Sequence, residues 1–207
     1  MALKLQFRPV RRRQRLLLKR VPRHESVDAA LFIAINHLPH PRNADEYVSL
    51  LSDLGKGAGW VVGSFWLAVR GGGRGRRAGV AATAGMFAAV GLAQGPLKAV
   101  FHRRRPGRLA IVVGVEPVDS SFPSGHTAGS FAAAAALSAF FPKDRPLLLT
   151  AASAVGLSRI YLGHHFPSDV AVGAVLGSIV GRSAARLARF RQPRPVTRTG
   201  QLPLAAE

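Results

Sequence analysis

Long runs without a charged residue alternate with dense basic blocks, and this alternation restricts the chain's possible folds more than any other feature. Ala78 to Leu97 gives twenty consecutive uncharged residues and Ser120 to Pro142 gives twenty-three, each long enough to cross a hydrocarbon core of about 30 Å as a helix. The basic residues cluster between and beyond such runs: nine from Lys4 to Arg23, four from Arg70 to Arg77, five from Lys98 to Arg108 and six from Arg182 to Arg198. A formal net charge of +19 on 207 residues points to an anionic partner, either nucleic acid or the surface of a membrane. Nucleic-acid binders spread charge along one face or interleave it with aromatics, and only 7% of this chain is aromatic. Basic blocks flanking apolar runs match instead the loops of a membrane protein beside lipid headgroups. A bilayer is therefore the expected partner, nucleic acid is not, and localisation to the cell membrane as a multi-pass protein follows.

The predicted fold class is all-α, an integral membrane bundle of about five spans with one N-terminal interfacial helix. Beside the two charge-free runs, Tyr47 to Val69 has the length of a span but carries Asp53 and Lys56 near its start, where long side chains reach the interface. Pro146 to Leu162 and Val170 to Leu187 qualify if Arg159, Arg182 and Arg186 lie at their ends. Ser26 to Leu38 is too short to cross and suits a helix lying in the interface. Gly173, Gly177 and Gly181 recur at four-residue spacing, a pattern that lets helices approach closely in lipid. The organisation is a basic tail over 1–25, one membrane-embedded domain over 26–190 and a second tail over 191–207. Cysteine is absent, which removes disulfides, a thiolate nucleophile and cysteine-type zinc sites. The first twenty residues contain no apolar run followed by small residues, so insertion is expected to use an uncleaved span.

Alternating spans would bring Lys98, Pro123-Ser124-Gly125-His126, Arg159 and His165 to Asp169 to one membrane face. These residue types fit phosphoryl transfer, in which charge spreads over the equatorial oxygens and fixed cations, a nucleophile and a proton donor are needed together. His165 and Asp169 are four residues apart, so the carboxylate can accept the Nδ1 proton and leave Nε2 free to attack phosphorus. A lone histidine there would read as a helix cap; this one has company. His126 follows a Ser-Gly helix entry, where unpaired backbone N–H groups favour anions, and in its protonated form it can act as general acid. Ser124 can cap the helix and donate to a phosphate oxygen. Lys98, Arg105 and Arg159 are candidates to hold phosphate oxygens, the arginines bidentately. Arg103, Arg104 and Arg108 read as interfacial loop charges.

The patterns K-x6-R-P at Lys98 to Pro106, P-S-G-H at Pro123 to His126, and S-R-x5-H-x3-D at Ser158 to Asp169 resemble the three signatures of the type 2 phosphatidic acid phosphatase family. That family shares its core with the vanadium haloperoxidases, and the similarity covers roughly Tyr47 to Gly181. The resemblance implies a phosphatase without metal or other cofactor, acting on a lipid phosphate such as a polyprenyl phosphate or diphosphate or a phosphatidate-like glycerolipid. It implies His165 as nucleophile, Asp169 as its orienter, His126 as leaving-group acid, and Lys98, Arg105, Ser124, Gly125 and Arg159 as the phosphate cradle. His164 falls outside the register of the third signature. The alternatives are a vanadate-dependent haloperoxidase, or a basic protein that binds nucleic acid or anionic membranes. For sidedness, twelve basic residues at Arg70 to Arg77, Lys143 to Arg145 and the segment from Arg182 lie opposite the site and argue for an extracytoplasmic site. The N-terminal basic block would sit on the site's own face if Ser26 to Leu38 does not cross.

Overall fold

A computed structural model describes residues 26–115 and 118–190, and among them every regular element is helical. Both predicted tails, 1–25 and 191–207, lie outside the described residues. Ser26 opens the first helix, α1 (Val27–Asn36), by accepting the Ala29 N–H at 3.3 Å, the usual role of a serine at a helix entry. Ten residues at 1.5 Å each reach only about 15 Å, so α1 does not cross. It lies across the site end of the bundle instead. Its buried Asn36 amide donates to the carbonyls of Ile111 (3.0 Å) and Tyr161 (2.7 Å) and accepts the Ile111 N–H at 2.7 Å.

The expected single span from Tyr47 to Val69 is broken. Helix α2 (Arg42–Asp53) and helix α3 (Gly59–Arg70) meet at a π turn, Leu54–Ala58, in which Gly57 adopts φ 150°. Only glycine takes that conformation freely. The break lets the chain press against two neighbours: a side chain at Gly55 would run into Val155, and the Gly55 carbonyl accepts the Ser130 hydroxyl at 3.0 Å. Trp60 in turn donates its indole N–H to Ser130 at 3.1 Å. Three uncharged donors and acceptors thus satisfy one another inside the bundle, where an unpaired one would be costly.

Helix α4 (Gly72–Leu92) continues through a second π turn at Ala93–Leu97 and ends on Lys98–Val100. Helices α5 (Gly125–Phe140), α6 (Arg145–Tyr161) and α7 (Pro167–Phe190) complete the bundle. Two continuous stretches, Gly72–Val100 and Pro167–Phe190, are long and apolar enough to cross a membrane. Ser120 to Pro142, expected as one uncharged span, is helical only from Gly125 to Phe140, because Ser120 to Ser124 form the loop that carries the first part of the site.

Helix α5 is the axis, enclosed by α4, α6 and α7. Its alanines from Ala132 to Ala136 are all buried, as expected for a helix surrounded on every side. The glycine spacing on α7 does what the sequence suggested. A Cβ at Gly177 would stand 2.1 Å from the Ala128 carbonyl oxygen, and one at Gly181 would stand 2.1 Å from that of Ala132. These two backbones touch directly, which in lipid is a principal source of helix attraction. Large apolar side chains point outward instead: Val62, Phe65, Trp66, Phe87, Leu147, Val175, Ile179 and Leu187 are exposed. A core of alanine and glycine beneath a coat of large hydrophobics is the surface of an integral membrane bundle, since in water such a coat would aggregate.

Candidate active site

The site forms at one end of the bundle, where the last turn of α4, the entry of α5, the end of α6 and the entry of α7 converge. Two loop arms are laced together there: the Ser121 N–H donates to the Arg103 carbonyl at 2.9 Å, and the Arg103 N–H to the Ser120 hydroxyl at 3.2 Å. The Ser124 N–H donates to the Asp169 carbonyl at 3.1 Å, joining the α5 entry to the start of α7. After α6, Gly163 turns with φ 81°, in contact with the Ile111 carbonyl, and delivers His164 and His165.

His165 is buried, and its Nδ1 lies 2.7 Å from the Ser121 carbonyl oxygen. A carbonyl only accepts, so Nδ1 carries the proton and Nε2 presents a lone pair. Nε2 faces the Arg105 guanidinium at 3.4 Å. Burial, followed by the charges of Arg105 and Arg159, depresses the imidazole against the upward pull of Asp169, to about 4. The ring is therefore neutral at ordinary pH, as attack through nitrogen demands.

Asp169 departs from its expected partnership. Its Oδ2 is 3.7 Å from His165 Nδ1, beyond hydrogen-bond range,. The fully buried carboxylate accepts instead from the Ser121 hydroxyl, from the Phe166 N–H at 2.9 Å and from Arg103 at 2.7 Å. Ser121 thus joins the two residues, its carbonyl to the imidazole and its hydroxyl to the carboxylate. A backbone acceptor leaves no mark on residue type, so sequence could not reveal it.

Arg103 is likewise more than a loop charge. Its guanidinium bridges Asp169 and Asp28, donates to the Ser168 hydroxyl at 2.5 Å and lies over the Phe166 ring at 4.3 Å. Burial works against its charge, but Asp28 and Asp169 outweigh that and raise its pKa. Asp28 also accepts the Ser168 N–H at 2.9 Å, in the first turn of α7. Burial opposes ionisation of Asp28, while its bonds to Ser168 and Arg103 prevail and lower its pKa. Helix α1 is thereby wired to the site.

Of the residues expected to hold phosphate, Lys98 and Arg105 meet on a residue the sequence did not single out, Asp119. Arg105 donates to the His164 carbonyl at 2.6 Å and to Asp119 at 2.6 Å, and Lys98 is paired with the other oxygen of Asp119. Burial would raise the Asp119 carboxyl, yet Lys98 and Arg105 hold it down at about 2. Arg159 is buried, donates to Ser52 of α2 at 2.6 Å and keeps its Nε without a partner. A buried guanidinium nitrogen with nothing to bond is suited to a ligand oxygen.

Ser124 is fully buried and caps α5. Its Oγ accepts the Thr127 N–H at 3.5 Å and the Thr127 hydroxyl at 2.9 Å, which leaves its own proton to donate,. A side chain on Gly125 would displace the Gln94 amide of the second π turn, which packs against this position. His126 stands one residue further on, half-buried, with Arg159, His165, Lys56 and His164 as its charged or titratable neighbours. His164 turns aside: its Nε2 bonds the Val113 carbonyl at 3.1 Å. Burial first, then the charges of Arg159, His165 and Arg105, push it down to about 3.

Residues 79–194 match the family model described as the PAP2 superfamily. The chain is 43% identical over 109 residues to the decaprenylphosphoryl-5-phosphoribose phosphatase of Mycobacterium tuberculosis, an alignment that covers 52% of this chain and 60% of that relative. Its structure is similar to that of Aquifex aeolicus LpxE, with a TM-score of 0.61 and 29% identity over 81% of this chain and 99% of the other. It is also similar to the transmembrane PAP2 type phosphatidylglycerolphosphate phosphatase of Bacillus subtilis, with a TM-score of 0.60 over 86% of this chain and 94% of the other. At 21% identity this second likeness concerns the fold alone.

Proposed function

The chain belongs to the PAP2 superfamily, and from that premise we propose that it is a membrane phosphatase that removes a terminal phosphate from a lipid through a phosphohistidine intermediate. The observation that carries the reading is the presentation of His165 Nε2, unprotonated, at the Arg105 guanidinium, with its other nitrogen fixed by Ser121. In the first step Nε2 attacks phosphorus and the bond to the lipid oxygen breaks. His126 gives that oxygen its proton and the lipid leaves as an alcohol or, from a diphosphate, as a monophosphate. In the second step His126 takes a proton from water, the oxygen attacks the phosphohistidine and inorganic phosphate departs. Lys98, Arg105, Arg159, Ser124 and the N–H groups at Gly125 and His126 stabilise the charge on the transferring group. Asp169 holds the Ser121 segment, and through it the ring.

The similarity to a phosphatase named for a decaprenylphosphoryl sugar favours a polyprenyl-linked phosphate over a glycerolipid. A His165→Ala variant should lose phosphate release from a polyprenyl phosphate by about a thousandfold or more. Turnover with labelled substrate should trap a phosphoenzyme in the wild type that is labile to acid and stable to base. Undiminished turnover in the variant would sink the assignment.

The favoured topology is multi-pass in the cell membrane with the site on the extracytoplasmic face. Arg70, Arg74, Arg76, Arg77, Arg182, Arg186 and Arg189 gather at the end of the bundle opposite the site, at the C-terminal ends of α3 and α7 and the start of α4. The lysine and arginine bias orients a membrane protein, and Lys98, Arg105 and Arg159 at the site end are accounted for by the phosphate they would hold. Reporter fusions at Glu207 and within the Arg70 loop should both report the cytoplasm; an external signal at either reverses the orientation.

A further inference from the structure

Asp119 is the one residue of the cradle that no sequence motif singled out, and it has the wrong sign for a phosphate site. Its two carboxylate oxygens are divided between the cations: one on Lys98, the other 2.6 Å from Arg105. The exposures differ sharply, with 8% of the Lys98 side chain and 6% of the Arg105 side chain accessible against 46% for Asp119. The cations are built into the wall, and the carboxylate covers them from the open side. A cavity of about 490 Å³ adjoins it, lined by His102, Arg103, Arg104, Arg105, Val118 and Ser120 beside Asp119 itself.

Two oxygens on one carbon, each bonded to one cation, imitate two oxygens of a phosphoryl group. We infer that Asp119 is a resident counter-anion of the cradle, displaced by the arriving phosphoryl group, and that it selects doubly charged terminal phosphates against the singly charged phosphodiesters of the surrounding bilayer. The inference rests on the phosphatase reading above. The selection has a physical basis. A site at the bilayer boundary is bathed in phosphodiester headgroups at high local concentration, and each carries one negative charge. A tethered carboxylate of equal charge competes with them at the high effective concentration of an intramolecular group. A phosphomonoester, or the terminal phosphate of a diphosphate, brings up to two charges and a third oxygen, so it gains more from the same cations. While the site awaits substrate, the carboxylate also spares two buried cations from standing uncompensated.

The test compares wild type with Asp119→Asn, which keeps shape and removes charge, and with Asp119→Glu, which keeps charge. Each is assayed in mixed micelles on a polyprenyl monophosphate, with phosphatidylglycerol or inorganic phosphate as inhibitor. Loss of two charge-assisted contacts from a competing group predicts that Asp119→Asn lowers KM for the monophosphate roughly tenfold, with kcat not falling in proportion. The same variant becomes sensitive to phosphatidylglycerol, which leaves wild type and Asp119→Glu uninhibited. If Asp119→Asn instead raises KM, or gains no sensitivity to phosphatidylglycerol, Asp119 only props up Lys98 and Arg105 and the inference is overturned. If Asp119→Asn does not fold, Asp119→Glu decides: its longer arm should change KM while phosphatidylglycerol stays excluded, and inhibition by that lipid overturns the inference. A wild type that neither releases phosphate nor is stabilised against heat by inorganic phosphate brings down the phosphatase reading itself, an outcome distinct from the other failures.

Discussion

Arg103 ties its own loop to two distant parts of the chain, with Asp28 on α1 and both Phe166 and Asp169 at the entry of α7 resting on one guanidinium. Removing one partner of a pair whose other member is fully buried costs about 3–5 kcal/mol, discounted here because a third of the Arg103 side chain is exposed,. Arg103→Ala should lower the melting temperature and reduce kcat by about ten- to a hundredfold, with partial recovery in Arg103→Lys. It should also move the pH profile. With Arg103 gone, the Asp169 charge acts unopposed on His165, so the imidazole holds its proton to higher pH and activity fails earlier on acidification. In wild type the ring sits at about 4, so the acidic limb of kcat/KM should lie well below the ordinary histidine range near 6.5. A wild-type limb at that ordinary value contradicts the burial argument. The three patterns stood out in the sequence because residue types and spacings are local features, and the structure places their residues at one end of the bundle. Arg103 did not stand out, since one arginine among Arg103, Arg104 and Arg105 carries no sign of its partners, and Asp28 lies 75 positions away.

At the scale of elements, the contact between α5 and α7 sets how closely the two histidine-bearing segments approach. A side chain at Gly177 would meet the Ala128 carbonyl and the Ala132 N–H, so Gly177→Val must push the helices apart along their length. The expected result is loss of most folded protein in detergent, read by gel filtration and heating, whereas Val175→Leu on the exposed face of the same helix should change stability by less than about 0.5 kcal/mol. The four-residue glycine spacing made this contact legible in the sequence. The broken first span was not, because hydropathy registers the length of an apolar run and ignores its direction. Gly55, Gly57 and Gly59 were the available clue: three glycines in five residues are a poor helix interior. That break matters to the site, since it turns Ser52 toward Arg159.

For the whole molecule, the exposed coat of Phe65, Trp66, Phe87, Leu147 and Ile179 predicts extraction by detergent and retention in the membrane pellet at high salt. Release by salt alone would return the basic residues to the role of a peripheral anchor. Composition pointed to the membrane and the motifs to the family. The docking of α1 beside the site stayed hidden, because it depends on Asn36 reaching the carbonyls of Ile111 and Tyr161, and no local pattern encodes such a reach. The alanine and glycine axis carries one more consequence. A soluble enzyme keeps its perimeter polar and fills its interior with large apolar side chains, whereas here the perimeter must stay apolar and the centre small. A saturation mutagenesis screen should find the perimeter permissive to any greasy replacement and the central column intolerant of even one extra methyl group, so adaptation to a new host lipid must be written on the outside.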